Sequence, residues 1–142
     1  LLGGLTKEEN SWQEALELAN SVLEENPDSF YARFNKSVAL YYLGEYEESI
    51  EEFEKVEDKL PRRMLWYQIE PIKAYFKVGA YDRVLSATQT LLENDNLAFS
   101  ELYYVRGLIY EERGEEEKAE EAFVNAVRYN STEYWKVNVE DL

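Results

Sequence analysis

The sequence predicts an all-α protein, a right-handed solenoid of antiparallel helix pairs with about three full repeats and an N-terminal half repeat. Three observations predict it. Gly44, Gly79 and Gly114 stand 35 residues apart, a period typical of stacked supersecondary units. Small and apolar residues recur in register around each Gly. Five before it stand Ala39, Ala74 and Ile109; five after it stand Ser49, Val84 and Ala119; twelve after it stand Val56, Leu91 and Ala126. Within each half of a unit, spacings of 3, 4 and 7 gather these residues on one helical stripe.

The elements follow in order. Residues 10–27 read as the second helix of a half repeat, because Trp12, Ala15, Ala19, Val22 and Pro27 lie 34 residues before Tyr46, Ser49, Phe53, Val56 and Pro61. Residues 30–61 form the first full repeat. A helix runs to Gly44, whose freedom to adopt a positive φ suits a tight turn, and a second helix follows with its many acids on the outer face. Residues 65–96 form the middle repeat, the least regular, because Pro71 and Ile72 stand where the other repeats carry small or polar residues. Its first helix either starts late, near Tyr67, or kinks at Pro71. Residues 100–131 form the last repeat. The tail, 132–142, is expected to cap the array as a helix, lie extended along it, or dock elsewhere.

Composition excludes several classes. Of 142 residues, 45% are apolar, which is enough for a sizeable core. Fifteen basic residues against thirty acidic ones leave a net charge of −15. Such a surface repels phosphate backbones and anionic lipid, so neither nucleic acid nor membrane is the expected partner. The absence of Cys and His removes thiol nucleophiles, imidazole bases and the usual zinc sites. No phosphate-binding loop, nucleophile elbow or calcium loop is present. Neither catalysis nor a cofactor is expected. The chain opens LLGGLTKEEN without an initiator Met, which is expected of a piece of a longer protein.

With these residues in place, the chain resembles the tetratricopeptide repeat family. The carriers are NKSVALYYLGEYEESIEEFEKV at 35–56 followed by Pro61, RGLIYEERGEEEKAEEAFVNAV at 106–127, and the Trp12–Pro27 set. The resemblance covers roughly residues 10–130. One departure is Arg33, where the family usually has an aromatic residue early in the first helix. The resemblance implies a protein- or peptide-binding scaffold whose first helices line a concave groove. By position, that groove would offer Tyr31, Phe34, Asn35 and Tyr41 from the first repeat, Trp66, Lys73, Phe76 and Lys77 from the middle one, and Tyr104 from the last. Aromatic rings supply contact area at low entropic cost. The middle stretch 61–100, with five basic against four acidic residues, is a near-neutral island; its Lys73 and Lys77, one helical turn apart, could hold a partner carboxylate, or Lys73 simply pairs with Glu70 on the helix surface. The family members that grip C-terminal carboxylates use more matching positions than Asn35, so that ligand is not expected.

A weaker similarity links LPRRMLWYQIEPIKAYFKVGAYDRV and the LAFSELYYVRGLIYEERG that follows to repeats accompanying bacterial C39-like peptidases. That chemistry needs Cys and His, so the similarity implies an accessory or spacer module of a larger protein and no peptidase activity here. An RNA-reading repeat would need a basic path along the groove. Self-association is a further expectation: the half repeat leaves a stripe including Trp12, Leu16 and Leu23 that another copy could cover.

Overall fold

The structure, a computed structural model, describes residues 6–61, 64–94 and 100–129, and the side chains of all but 66, 67 and 94 among them. The expected tail, 132–142, lies outside the described residues. Among those residues the chain is all helical, in the order α1 (Lys7–Glu25), α2 (Phe30–Tyr42), α3 (Tyr46–Glu54), α4 (Met64–Tyr67), α5 (Glu70–Lys77), α6 (Tyr81–Asn94), α7 (Ser100–Glu112) and α8 (Glu116–Tyr129). It divides into two compact units, Leu1–Val78 and Gly79–Leu142. The division falls within the middle repeat.

In the first unit, α1 begins at a capping box. Thr6 Oγ1 accepts from the Glu9 amide at 3.1 Å, and the Glu9 carboxylate accepts from the Thr6 amide at 2.7 Å. These two bonds satisfy backbone donors that the first helical turn cannot. Ser29 caps α2 in the simpler way, accepting from the Ala32 amide. The helix ends where Gly44 takes φ 81°. There the Glu45 amide reaches back to Leu40 O at 2.9 Å and the Gly44 amide to Tyr41 O at 3.0 Å, a termination that needs a left-handed residue. The same bonds recur at Gly114, φ 73°, from Glu115 to Tyr110 and from Gly114 to Glu111.

Helices α2 and α3 run antiparallel. Phe34 faces Phe53 with ring centroids 6.3 Å apart, while Ser37 meets Ser49 nearer the turn. Helix α2 also packs on α1, and both α2 and α3 pack on α5. Phe34, Val38, Ala39, Leu40, Phe53, Val56, Ile72, Ala74 and Tyr75 form the buried interior of this unit. In the second unit α7 and α8 pair in the same sense, with Ser100 Oγ donating to Ala126 O at 2.6 Å and Tyr104 set against Phe123, and α6 packs on α7.

Two expectations are corrected here. Pro71 neither kinks a helix nor leaves one starting near Tyr67. The chain leaves helix after Tyr67 and restarts at Glu70, with Ile69 as the cap. Pro71 then sits in the first turn of α5, where its missing N–H has no intrahelical acceptor to lose. The acids of α3 are also not all on an outer face. Glu52 is buried, held by Arg33 Nη1 at 2.6 Å, Lys55 Nζ at 3.2 Å and Lys36 Nζ at 3.6 Å. Arg33, the departure from the usual aromatic, is there to neutralise it.

Candidate functional site

The first unit carries a groove of about 270 Å³ between α1 and α2. One wall is Trp12, Ala15, Leu18, Ala19 and Val22 of α1; the other is Ala32, Asn35 and Val38 of α2, with Gln68 at one end. Its apolar wall is open for a positional reason. In the first full repeat the positions five and twelve after the turn, Ser49 in α3 and Val56 just beyond it, are buried. Their counterparts in α1 are Ala15 and Val22. Among the described residues α1 has no preceding first helix to pair with, so Leu18 stays 68% and Val22 39% exposed.

Beside the groove, Trp12 stacks on Tyr42 with centroids 4.2 Å apart and planes 9° from parallel. The Tyr42 hydroxyl donates to Glu70 Oε1 at 2.7 Å. The other oxygen of Glu70 is buried and meets no donor among the described residues. A Trp–Tyr stack tied to a carboxylate gives one end of the groove a fixed, partly polar rim.

The residues expected to bind a partner fall into different environments. Asn35 is exposed and lines the groove. Tyr31 is exposed at the N-terminal end of α2, its ring against Phe30. Tyr41 is half-buried between Tyr42 and Tyr46. Lys73 and Phe76 are half-buried and Lys77 exposed, all on α5. Tyr104 belongs to the second unit, half-buried against Phe123. The side chain of Trp66 lies outside the described residues. Phe34 requires correction: it is fully buried, filling the α2–α3 interface, and presents nothing to a partner. The stripe expected on α1 also changes. Trp12, Leu16 and Leu23 are half-buried, and the exposed large apolar residues of α1 are Leu18 and Val22.

Sequence reasoning missed the polar centre of the second unit. Arg106 of α7 reaches across to α6, where Nη1 donates to Leu85 O at 2.9 Å and Thr88 Oγ1 at 2.7 Å, and Nη2 donates to Gln89 Oε1 at 2.9 Å. Nη2 also bonds the Tyr110 hydroxyl at 2.9 Å. Arg106, Gln89 and Tyr110 wall a cleft of about 400 Å³ with Tyr103, Lys118 and Asn125. Its guanidinium is spent on internal bonds, so the cleft is a structural clamp first. Among the described residues no helix is long and apolar enough to cross a membrane.

The repeated turn geometry and the paired helices now meet the comparison with known families. Residues 7–63 match a tetratricopeptide repeat model, and residues 100–133 match a second model of the same description. Both stretches are tetratricopeptide repeats. The interval between them contains Pro71 and the break between α4 and α5. A TPR repeat-containing protein of Methanocaldococcus jannaschii is 28% identical to this chain over 82% of its length. The chain spans 22% of that relative's length. Tetratricopeptide repeats form protein-interaction scaffolds, and the all-helical repeat fold of this chain is of that kind.

Proposed function

We propose that the chain is a non-catalytic protein-binding scaffold whose first unit takes an apolar segment of a partner protein in the groove between α1 and α2. The exposure of Leu18 and Val22 directly opposite Asn35 carries this reading. A partner side chain entering there would remove apolar surface from water, while the Asn35 and Gln68 amides can bond its backbone. Tyr31 and Tyr41 on α2, and Lys73, Phe76 and Lys77 on α5, belong to the same unit and extend the surface on which such a segment could rest. Tyr104 would contribute separately from the second unit. The net charge of −15 supports a protein over a nucleic acid. The greater length of the archaeal relative supports a module within a larger protein.

A displayed random-peptide library, selected against the chain, tests the reading. Peptides so enriched are expected to lose at least about tenfold in affinity against a Leu18→Glu, Val22→Glu variant whose helix content is unchanged. Undiminished binding to that variant would refute the groove.

A second reading, self-association through α1, draws on the same exposed Leu18. Sedimentation across a wide concentration range distinguishes it: a dimer abolished by Leu18→Glu supports it, and a monomer throughout rules it out.

A further inference from the structure

After the first two turn glycines, the position ten residues on meets the first helix of the next repeat. In α3 it is Glu54, whose Oε1 accepts from the Tyr75 hydroxyl of the next first helix, α5, at 2.9 Å. In α6 it is Gln89, whose Oε1 accepts from Arg106 of the next first helix, α7. In α8 it is Val124, which is 59% exposed, and Val127 three residues on is 77% exposed. Both earlier repeats therefore present a polar group to a covering helix, and the last presents valines. Val124 and Val127 line a cavity of about 660 Å³ with Ala119 and Phe123, and Glu111, Glu116 and Glu120 lie along it.

We propose that this face of α8 docks an amphipathic helix of another protein, one with an apolar stripe flanked by Lys or Arg. The helical form follows from the register, since α5 and α7 meet the matching positions of α3 and α6. The apolar stripe answers the two valines and Phe123. The basic flanks answer the three glutamates, all exposed on α7 and α8. Charge argues against two nearer occupants. Residues 130–142 carry Glu133, Glu140 and Asp141 against Lys136 alone, and a second copy would bring the same three glutamates to the interface. The surface is in the second unit and independent of the α1–α2 groove.

The test uses two synthetic helical peptides of about 14 residues, or four turns, both with Leu on one stripe, one with Lys and the other with Glu elsewhere. Fluorescence anisotropy with the full chain at physiological salt is expected to show the Lys peptide binding at least about tenfold tighter than the Glu peptide. A Val124→Glu, Val127→Glu variant adds negative charge, so unspecific attraction alone would tighten the Lys peptide; docking on the valines predicts loss of binding. Glu111→Lys with Glu120→Lys is expected to weaken it, and Glu24→Lys, an exposed charge change on α1 in the first unit, to leave it unchanged. No binding by the parent, or equal or tighter binding by the valine variant, would overturn the proposal. So would a Lys peptide that binds only after removal of 130–142, which would give the face to the tail. A dimer that vanishes in the valine variant would give it to a second copy.

Discussion

Ser37 and Ser49 exchange hydrogen bonds across the crossing of α2 and α3. The Ser37 hydroxyl donates to Ser49 O at 2.8 Å and the Ser49 hydroxyl to Ser37 O at 2.6 Å, and neither residue has any solvent exposure. Both side chains are small, so the two backbones approach closely, and both polar groups are satisfied within the contact. The same positions in the last repeat are Gly107 and Ala119, which solve the spacing without hydroxyls.

The crossing predicts an order of effects. Ser37→Ala removes one bond and is expected to cost about 1 kcal/mol. Ser37→Leu forces the helices apart and is expected to cost about 1–3 kcal/mol. A double-mutant cycle of Ser37→Ala with Ser49→Ala should show coupling of about 0.5 kcal/mol or more. Denaturant midpoints and hydrogen exchange at α2 and α3 measure all three. A Ser37→Leu variant as stable as the parent would show that the close crossing is dispensable.

Glu52 gives the first unit an acid-sensitive joint. Burial alone pushes its carboxyl up, but the hydrogen bonds from Arg33 and Lys55 and the charges of Lys36 and Lys55 outweigh that and hold it below the ordinary glutamate value. A carboxyl depressed in the folded state adds stability that is present above its unfolded value and lost as pH falls through the folded one. Acidification through the glutamate range should therefore loosen α2 from α3. Glu52→Gln should flatten that part of the pH–stability profile and cost about 1–2 kcal/mol at neutral pH, discounted because Arg33 and Lys36 remain partly exposed. An unaltered acid limb in this variant would assign the pH dependence to other carboxylates.

The turns were legible in the sequence and the site much less so. Gly44, Gly79 and Gly114 all take positive φ, which few other residues tolerate, so their spacing reports backbone directly. Helical period reports a face but not which neighbour covers it. Phe34 and Asn35 are adjacent on α2, yet one fills the core and the other borders the groove. Glu52 looks like its acidic neighbours until Arg33, 19 residues earlier, is brought beside it. The half repeat foretells an uncovered face on α1 but not which residues form it: Leu18 and Val22 are exposed, while the expected Trp12, Leu16 and Leu23 are half-buried.

Two glycines in the second unit are required for different reasons, and substitution separates them. Gly114 has nothing within 4 Å of where a Cβ would lie, so its requirement is the backbone φ of 73° alone. Gly114→Ala is expected to cost about 1–2 kcal/mol, and Gly114→Asn less, since Asn tolerates the left-handed region. A Cβ on Gly107 would lie 2.5 Å from Phe123 Cε1. Gly107→Ala gains about 1 kcal/mol of helix propensity and must displace that ring, so Asn there should be worse than Ala. Thermal unfolding of the four variants checks the reversal of order. The same order at both sites would remove the distinction.

Arg106 is the group most expected to hold α6 against α7. Its two nitrogens reach Leu85 O, Thr88 and Gln89 on one helix and Tyr110 on its own, a planar fork that Lys cannot reproduce. Thr88 is fully buried and already donates to Val84 O at 2.7 Å, so its oxygen depends on Arg106 as a donor partner. Arg106→Lys is expected to cost about 1–2 kcal/mol despite keeping the charge. Arg106→Ala should cost more, because it also strips the side-chain stem from the cleft. Hydrogen exchange should locate the loss in α6, with α7 and α8 keeping their protection through Ser100, Ala126 and the Gly114 turn. Uniform loss across all three helices would mean that the second unit unfolds as one body and that Arg106 is no separate clamp.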